Sequence, residues 1–205
     1  MIIKPNNNTL SSITALPAAI STGSLVLIKT VSFSSVSSVD FIDGTDSVVL
    51  DSTYDNYKAV GYGISFGATK GLVCRFRVSG SFVTSGYETQ SASLRGTNSS
   101  FDISSGSTNS DFIRMGWQRF TGTTAGFTQN FEMNFYNLPS TSADKHSICH
   151  MVNNGNSTND ATFQTSSGTL DSDSARTNAV TGLRFAANDF STNISGKISL
   201  YGVKT

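Results

Sequence analysis

The stretch STYDNYKAVGYGISF, Ser52–Phe66, sets four tyrosine and phenylalanine rings within fifteen residues. It is either an aromatic platform for a ligand or one strand of a ring-rich sandwich. Its second half decides between the two. Val60, Tyr62, Ile64 and Phe66 alternate with Gly61, Gly63 and Ser65. Period two predicts a strand with the four large residues on the core face and an almost bare opposite face. A bare face admits the close approach of another backbone. Tyr54 and Tyr57 then seat the entry to the strand.

Working outward, the same alternation returns. In KGLVCRFRVSGSFV, Leu72, Cys74, Phe76 and Val78 share one face, opposite Val73, Arg75 and Arg77. In DFIRMGWQRF, Ile113, Met115 and Trp117 oppose Phe112, Arg114, Gln118 and Phe120, and in NFEMNFYNL, Phe131, Met133 and Phe135 fall together. SLVLIKTVSF, KHSICHMV, NAVTGLRFAA and SGKISLYGV add further strands, and Asp43-Gly44 marks a hairpin or tight loop. No convincing 3.6-residue period runs longer than two turns. The spacing predicts an all-β, antiparallel β-sandwich of jelly-roll type over residues 25–205. Residues 1–24 differ: Pro5 and Pro17 discourage a regular strand. This segment is read as an extended N-terminal arm, with a frayed terminus as the alternative. The Ser- and Asn-rich segments Asn98–Asp111 and Asn153–Thr169 read as long polar loops.

Composition narrows the function. Charged residues make up 14% of the 205, and 14 acidic side chains balance 14 basic ones. Without a clustered cationic surface a nucleic-acid partner is disfavoured. No run reaches the ~20 apolar residues of a membrane span, and the start MIIKPNNNTLSS does not have the pattern of a secretory leader. A hydrophobic share of 37% with 10% aromatic residues argues against disorder.

Candidate chemistry is thin. His146 and His150 share a face of one strand but stand about 13 Å apart at the usual rise, too far for one tetrahedral ion, and Cys149 points the other way. Cys74 and Cys149 lie in apolar runs and read as two buried thiols. Asp40, Asp43, Asp46, Asp51, Asp55, Asp171 and Asp173 do not form the ordered ligand series of a calcium loop. They read as turn-capping acids. No nucleophile elbow is present, and Glu88 and Glu132 are the only glutamates. No catalytic residue, cofactor or metal is therefore expected. Trp117, Tyr87, Tyr136 and Tyr201 are the rings available for sugar stacking, although Trp117 shares its face with core residues. Arg75, Arg77, Arg114 and Arg119 sit on strands that also carry rings and have apolar area on both sides. Two-sided strands suggest that one face meets another subunit, which makes these arginines candidate interface residues.

Two blocks carry a resemblance. Val39, Asp40, Phe41, Asp51, Ser52, Thr53, Tyr54, Asp55 and Tyr57 follow the pattern V-D-F … G … D-S-T-Y-D-x-Y. Leu183, Phe185, Gly196, Ile198, Leu200, Tyr201 and Gly202 follow I-x-F … G-x-I-x-L-Y-G, with leucine at the first place. Together with ITALPAAISTGSLVLIKT, they resemble small jelly-roll structural proteins of tailed phages, especially marine ones. The likeness brackets residues 13–205 and is loose in the middle third. The resemblance implies a homotrimer on the virion surface, either a decoration (cement) protein bridging the major capsid protein of the head or a part of a tail or head fibre that recognises a host surface glycan. The arm, with Ile2, Ile3, Ile13 and Leu16, suits docking onto a neighbour.

Overall fold

A computed structural model describes residues 25–95, 101–116, 128–154, 161–171 and 175–204. These are all-β, with thirteen strands and no helix. In chain order they are β1 (Leu25–Val36), β2 (Ser38–Ile42), β3 (Asn56–Phe66), β4 (Leu72–Val78), β5 (Ser81–Phe82), β6 (Tyr87–Arg95), β7 (Phe101–Ser110), β8 (Ile113–Arg114), β9 (Gln129–Tyr136), β10 (Lys145–Asn154), β11 (Ala161–Leu170), β12 (Val180–Ala187) and β13 (Ile194–Val203). An eight-stranded sheet runs β1-β13-β3-β9-β10-β11-β6-β7, and a five-stranded sheet runs β2-β12-β4-β5 with β8 also on β4. Every pairing is antiparallel. The two sheets form a sandwich. The expected arm, residues 1–24, lies outside the described residues, and with it Ile2, Ile3, Ile13 and Leu16.

The core fills the space between the layers. Phe131, Met133, Phe135, Ile198 and Leu200 from the large sheet face Phe41, Leu72, Phe76, Leu183 and Phe185 from the small one. Rings cross the gap edge-on at Phe76–Phe135 (6.0 Å, 65°) and tilted at Phe131–Phe185 (5.7 Å, 30°), geometries that suit aromatic quadrupoles. Cys74 stands on the small sheet and Cys149 on the large one; both are buried and unbridged. Burial pushes both thiols up from their ordinary value.

The alternation of Leu72–Val78 and of Phe131–Phe135 holds as expected. That of Val60–Phe66 does not. Tyr57, Ala59 and Gly61 face the core, and so do Ile64 and Phe66, while Val60 and Tyr62 face outward. A register shift between Gly61 and Ile64 opens a β-bulge. There Gly63 takes φ +60°, and its N–H donates to Asn130 Oδ1 at 2.8 Å. Glycine supplies that left-handed φ without strain. The extra residue reverses the facing of everything upstream.

A second correction concerns the polar segments. Much of Asn98–Asp111 is strand β7, and much of Asn153–Thr169 is strands β10 and β11. Inward Thr89 of β6 and Ser166 of β11 meet the backbone of residues 112–116, which lies across that end of the sheet. Thr89 Oγ1 accepts from Arg114 N at 3.2 Å, and Ser166 Oγ donates to Met115 O at 3.1 Å. An irregular segment laid over a sheet leaves main-chain groups that only polar side chains can pair.

Tyr87 fills another such gap. β5 and β8 share one edge of β4, pairing with residues 77–78 and 73–74 and leaving Phe76 between them. The Phe76 N–H donates instead to the buried Tyr87 hydroxyl at 2.8 Å. Tyr87→Phe removes that acceptor and leaves a buried N–H unpaired. We expect a loss of about 2 kcal/mol in denaturant unfolding; an unchanged midpoint would show that the N–H finds another partner.

Lys145 is wholly buried at the start of β10. Its Nζ donates to three main-chain carbonyls, Ser140 O (2.7 Å), Ala143 O (2.6 Å) and Arg176 O (2.9 Å). Burial pushes the ammonium pKa below its ordinary value, with the Asp144 charge opposing.

Candidate functional site

Facing rules decide what the large sheet shows to solvent. Outward positions on neighbouring strands fall into rows fixed by register. One row runs Ile103, Ala92, Thr165, His150, Glu132, Val60, Ser199 and Thr30. The next sets Leu94 beside Phe163 and Val152, with Asn130 following on β9. A third contains Ser167, Ile148, Asn134, Lys58, Tyr201 and Leu27. The last contains His146, Tyr136, Asn56, Val203 and Leu25.

Nine large apolar side chains are exposed among the described residues; eight belong to these rows, and the ninth, Tyr62, stands on the same face at the bulge of β3. Ile103 is the barest at 70%, and Leu27 and Val152 are more than half exposed at 55% and 53%. The small sheet exposes none. Ala92, Ile103, Ile148 and Thr165 line a shallow depression of about 330 Å³. A second, of about 270 Å³, is floored by Gly61 and Phe131 and walled by Tyr62, Val152 and Phe163.

An ion pair stands at the middle of this face. Lys58 Nζ pairs with Glu132 Oε1 at 2.7 Å. That hydrogen bond holds the Glu132 carboxyl below its usual range. His150 stands directly across from Glu132 and stacks on Phe163 at 6.1 Å and 15°. A carboxylate already bound to a lysine is a poor general base, and no second acid faces it. Among the described residues no group of three or more His, Cys, Asp or Glu could hold a metal ion. His146 and His150 do share the outer face, with Cys149 buried on the other, as the strand spacing predicts.

No protein family, curated protein or solved structure matches this chain. The surface must therefore be read from its own chemistry. The arginines singled out from sequence lie on the small sheet and beside it. Arg75 donates to the Asp111 main chain and carboxylate, both at 2.7 Å, and lies 3.5 Å over the Phe190 ring. Arg77 reaches Thr181 Oγ1 at 3.4 Å, and Arg114 on β8 is half-buried. Arg119 lies outside the described residues, as does Trp117. Between Arg75 and the sheet edge, Arg184 grips Asp40 with two bonds of 2.8 and 2.6 Å under the Phe82 ring. Arg75, Arg77 and Arg184 thus have partners inside the chain, whereas the apolar area open to a partner lies on the other sheet.

Of the candidate sugar-stacking rings, Tyr87 is fully buried, while Tyr136 and Tyr201 open onto the large sheet's outer face. Tyr62, expected in the core, joins them there at 50% exposure. The aspartates are engaged locally. Asp43 Oδ1 accepts from Leu50 N, Asp46 pairs with Lys29, and Asp51 Oδ1 accepts from Thr53 N.

Proposed function

We propose that this protein is a non-enzymatic structural component of a tailed-phage virion, a homotrimeric decoration protein that bridges capsid subunits on the head surface. The observation that carries the reading is the confinement of all nine exposed large apolar side chains to one sheet face. A monomer seldom gathers so many exposed apolar side chains on one face, and such patches mark protein contacts.

The phage setting rests on the two resembling blocks, and their contacts support it. Asp40 binds Arg184, the Phe41 ring meets Phe185 edge-on at 6.2 Å, and Gly202 leaves room for the Tyr54 ring. Tyr57 pairs with Gly202, and its hydroxyl donates to Asp51 O. Residues 39–57 and 183–202 are therefore one structural unit. Their pattern is a signature of how the sandwich closes, and it contains no chemistry.

Sedimentation of the purified protein tests the reading. The expected mass is three times the 21.7 kDa chain mass, and the trimer should bind heads stripped of it. A variant without residues 1–24 should remain trimeric and fail to attach. A monomer, or full attachment without the arm, overturns the cement role. A second reading, glycan recognition by a fibre, draws on the open rings of Tyr62, Tyr136 and Tyr201. Sugar-selective binding on a glycan array by the isolated protein would favour it.

A further inference from the structure

The outer face of the large sheet consists of two unlike halves. On β10, β11, β6 and β7 the apolar residues Val152, Phe163, Leu94, Ala92 and Ile103 adjoin one another through the register. On β1 and β13 the pairs Leu25–Val203 and Leu27–Tyr201 form a second apolar strip. Between them β9 presents Asn130, Glu132 and Asn134, with Lys58 bound to Glu132. A single flat partner over the whole face would bury that ion pair at a desolvation cost. Two separate contacts would leave it at the rim.

Each half is also polarised along its strands, in opposite senses. On the first half, the apolar residues gather at the end holding Leu94 and Ile103, and Glu88 stands exposed toward the other end of β6. On the second, the apolar pairs gather at the end holding Leu25 and Val203, and Lys197 stands exposed toward the other end of β13. Neither Glu88 nor Lys197 has an ion-pair partner among the described residues. Laying apolar strip on apolar strip therefore brings Glu88 toward Lys197. Packing like halves together would set Glu88 against Glu88.

We propose that copies of this chain associate head-to-tail, the β10-β11-β6-β7 half of one copy seated on the β1-β13 half of the next, with Glu88 facing Lys197. Of the exposed apolar side chains, Leu94, Ile103, Ile148, Val152 and Phe163 stand on the first half and Leu25 and Leu27 on the second, so each contact joins the two sets. A heterologous contact of this kind closes into a ring or runs on as a filament. The proposal takes only the copy number, three, from the functional reading above.

Complementation tests it. Leu94→Ser with Ile103→Ser disables the first half, and Leu27→Ser with Val203→Ser disables the second, all at positions open or half-open to solvent. Each full-length variant alone should sediment as a monomer, with self-association weakened about 30-fold or more and circular dichroism unchanged. Mixed, they should form a complex of two chains, because each retains the half the other has lost. Glu88→Lys and Lys197→Glu should each weaken trimerisation at low salt, and the double reversal should restore it. Self-association of either half-variant alone, or no complex on mixing, overturns the head-to-tail contact while a trimeric wild type leaves the functional reading standing. A monomeric wild type overturns both; if its binding of a hydrophobic dye rises when residues 1–24 are removed, the chain's own terminus covers the face.

Discussion

Lys145→Met is expected to lower the thermal midpoint by roughly 10 °C. Methionine keeps the length and apolar stem of lysine but donates nothing. Three carbonyls that now converge on Nζ, from Ser140, Ala143 and Arg176, would lose their donor together. Breaking a buried charged group away from its partners costs about 3–5 kcal/mol, and each kcal/mol moves the midpoint of a domain this size by about 2–4 °C. The loss should be local in origin. This ammonium ties residues 139–144 and 175–178 to β10, beside a looser Arg176–Asp144 pair at 3.9 Å and Asn137 Nδ2 donating to Asp144 O. Hydrogen exchange should therefore accelerate first in those two loops. Lys145→Arg should not rescue, because a planar fork cannot aim at three carbonyls gathered round a point. A midpoint within 2 °C of wild type would mean that water replaces the ammonium without cost.

Gly61→Ala should cost about 2 kcal/mol, although alanine is the better residue for an ordered strand. A methyl built on Gly61 would stand 2.0 Å from Cε1 and 2.4 Å from Cδ1 of Phe131. The ring has little room to retreat, since Phe185 of the opposite sheet packs against it at 5.7 Å. Overpacking of this kind costs about 1–3 kcal/mol, and the entropic gain of about 0.4–1 kcal/mol from losing a glycine offsets only part of it. The clash predicts its own remedy. Phe131→Leu alone opens a cavity and destabilises, yet in the Gly61→Ala background it should cost far less. A coupling of 1 kcal/mol or more between the two changes is expected from denaturant curves. Strict additivity would show that the ring does not lie on the glycine.

These two sites differ in how far sequence reveals them. The strand character of β4, β9, β10, β12 and β13 is written in alternation, and so are the opposed faces of His146, His150 and Cys149. Lys145 is not visible in this way. A lysine at the head of a strand reads as solvated until two distant loops are seen to close over it. The bulge at Gly63 is equally silent, because G-Y-G-I-S-F keeps a perfect period-two pattern while the backbone breaks it. The alternation therefore places Val60 and Tyr62 in the interior, whereas the structure sets both on the outer face. The Ser- and Thr-rich strands β7 and β11 failed for another reason. Few of their residues are apolar, and inward Ser166 of β11 pairs with the main chain of Met115, so the apolar signal that marks a buried strand is missing.

The candidate surface was hidden by its very construction. Phe163, Leu94 and Ile103 are isolated apolar residues in polar strands, and only the cross-strand register makes them neighbours. Arg75 and Arg77 drew attention because arginine on a two-sided strand suggests a partner. Asp111, Phe190 and Thr181 meet that need within the chain. Asn98–Asp111, which reads as a loop in sequence, is largely strand. Among the described residues the rings open to a sugar are those of Tyr62, Tyr136 and Tyr201 on the large sheet.

Cys74 and Cys149 give the sandwich a built-in stopwatch. One sulfur hangs from each leaf, and neither can be touched while the leaves stay shut. A thiol-reactive dye added to the intact protein would consequently be consumed only as fast as the leaves part. Comparing the two rates, with each cysteine present alone, would reveal whether the protein breathes from its narrow leaf or its broad one.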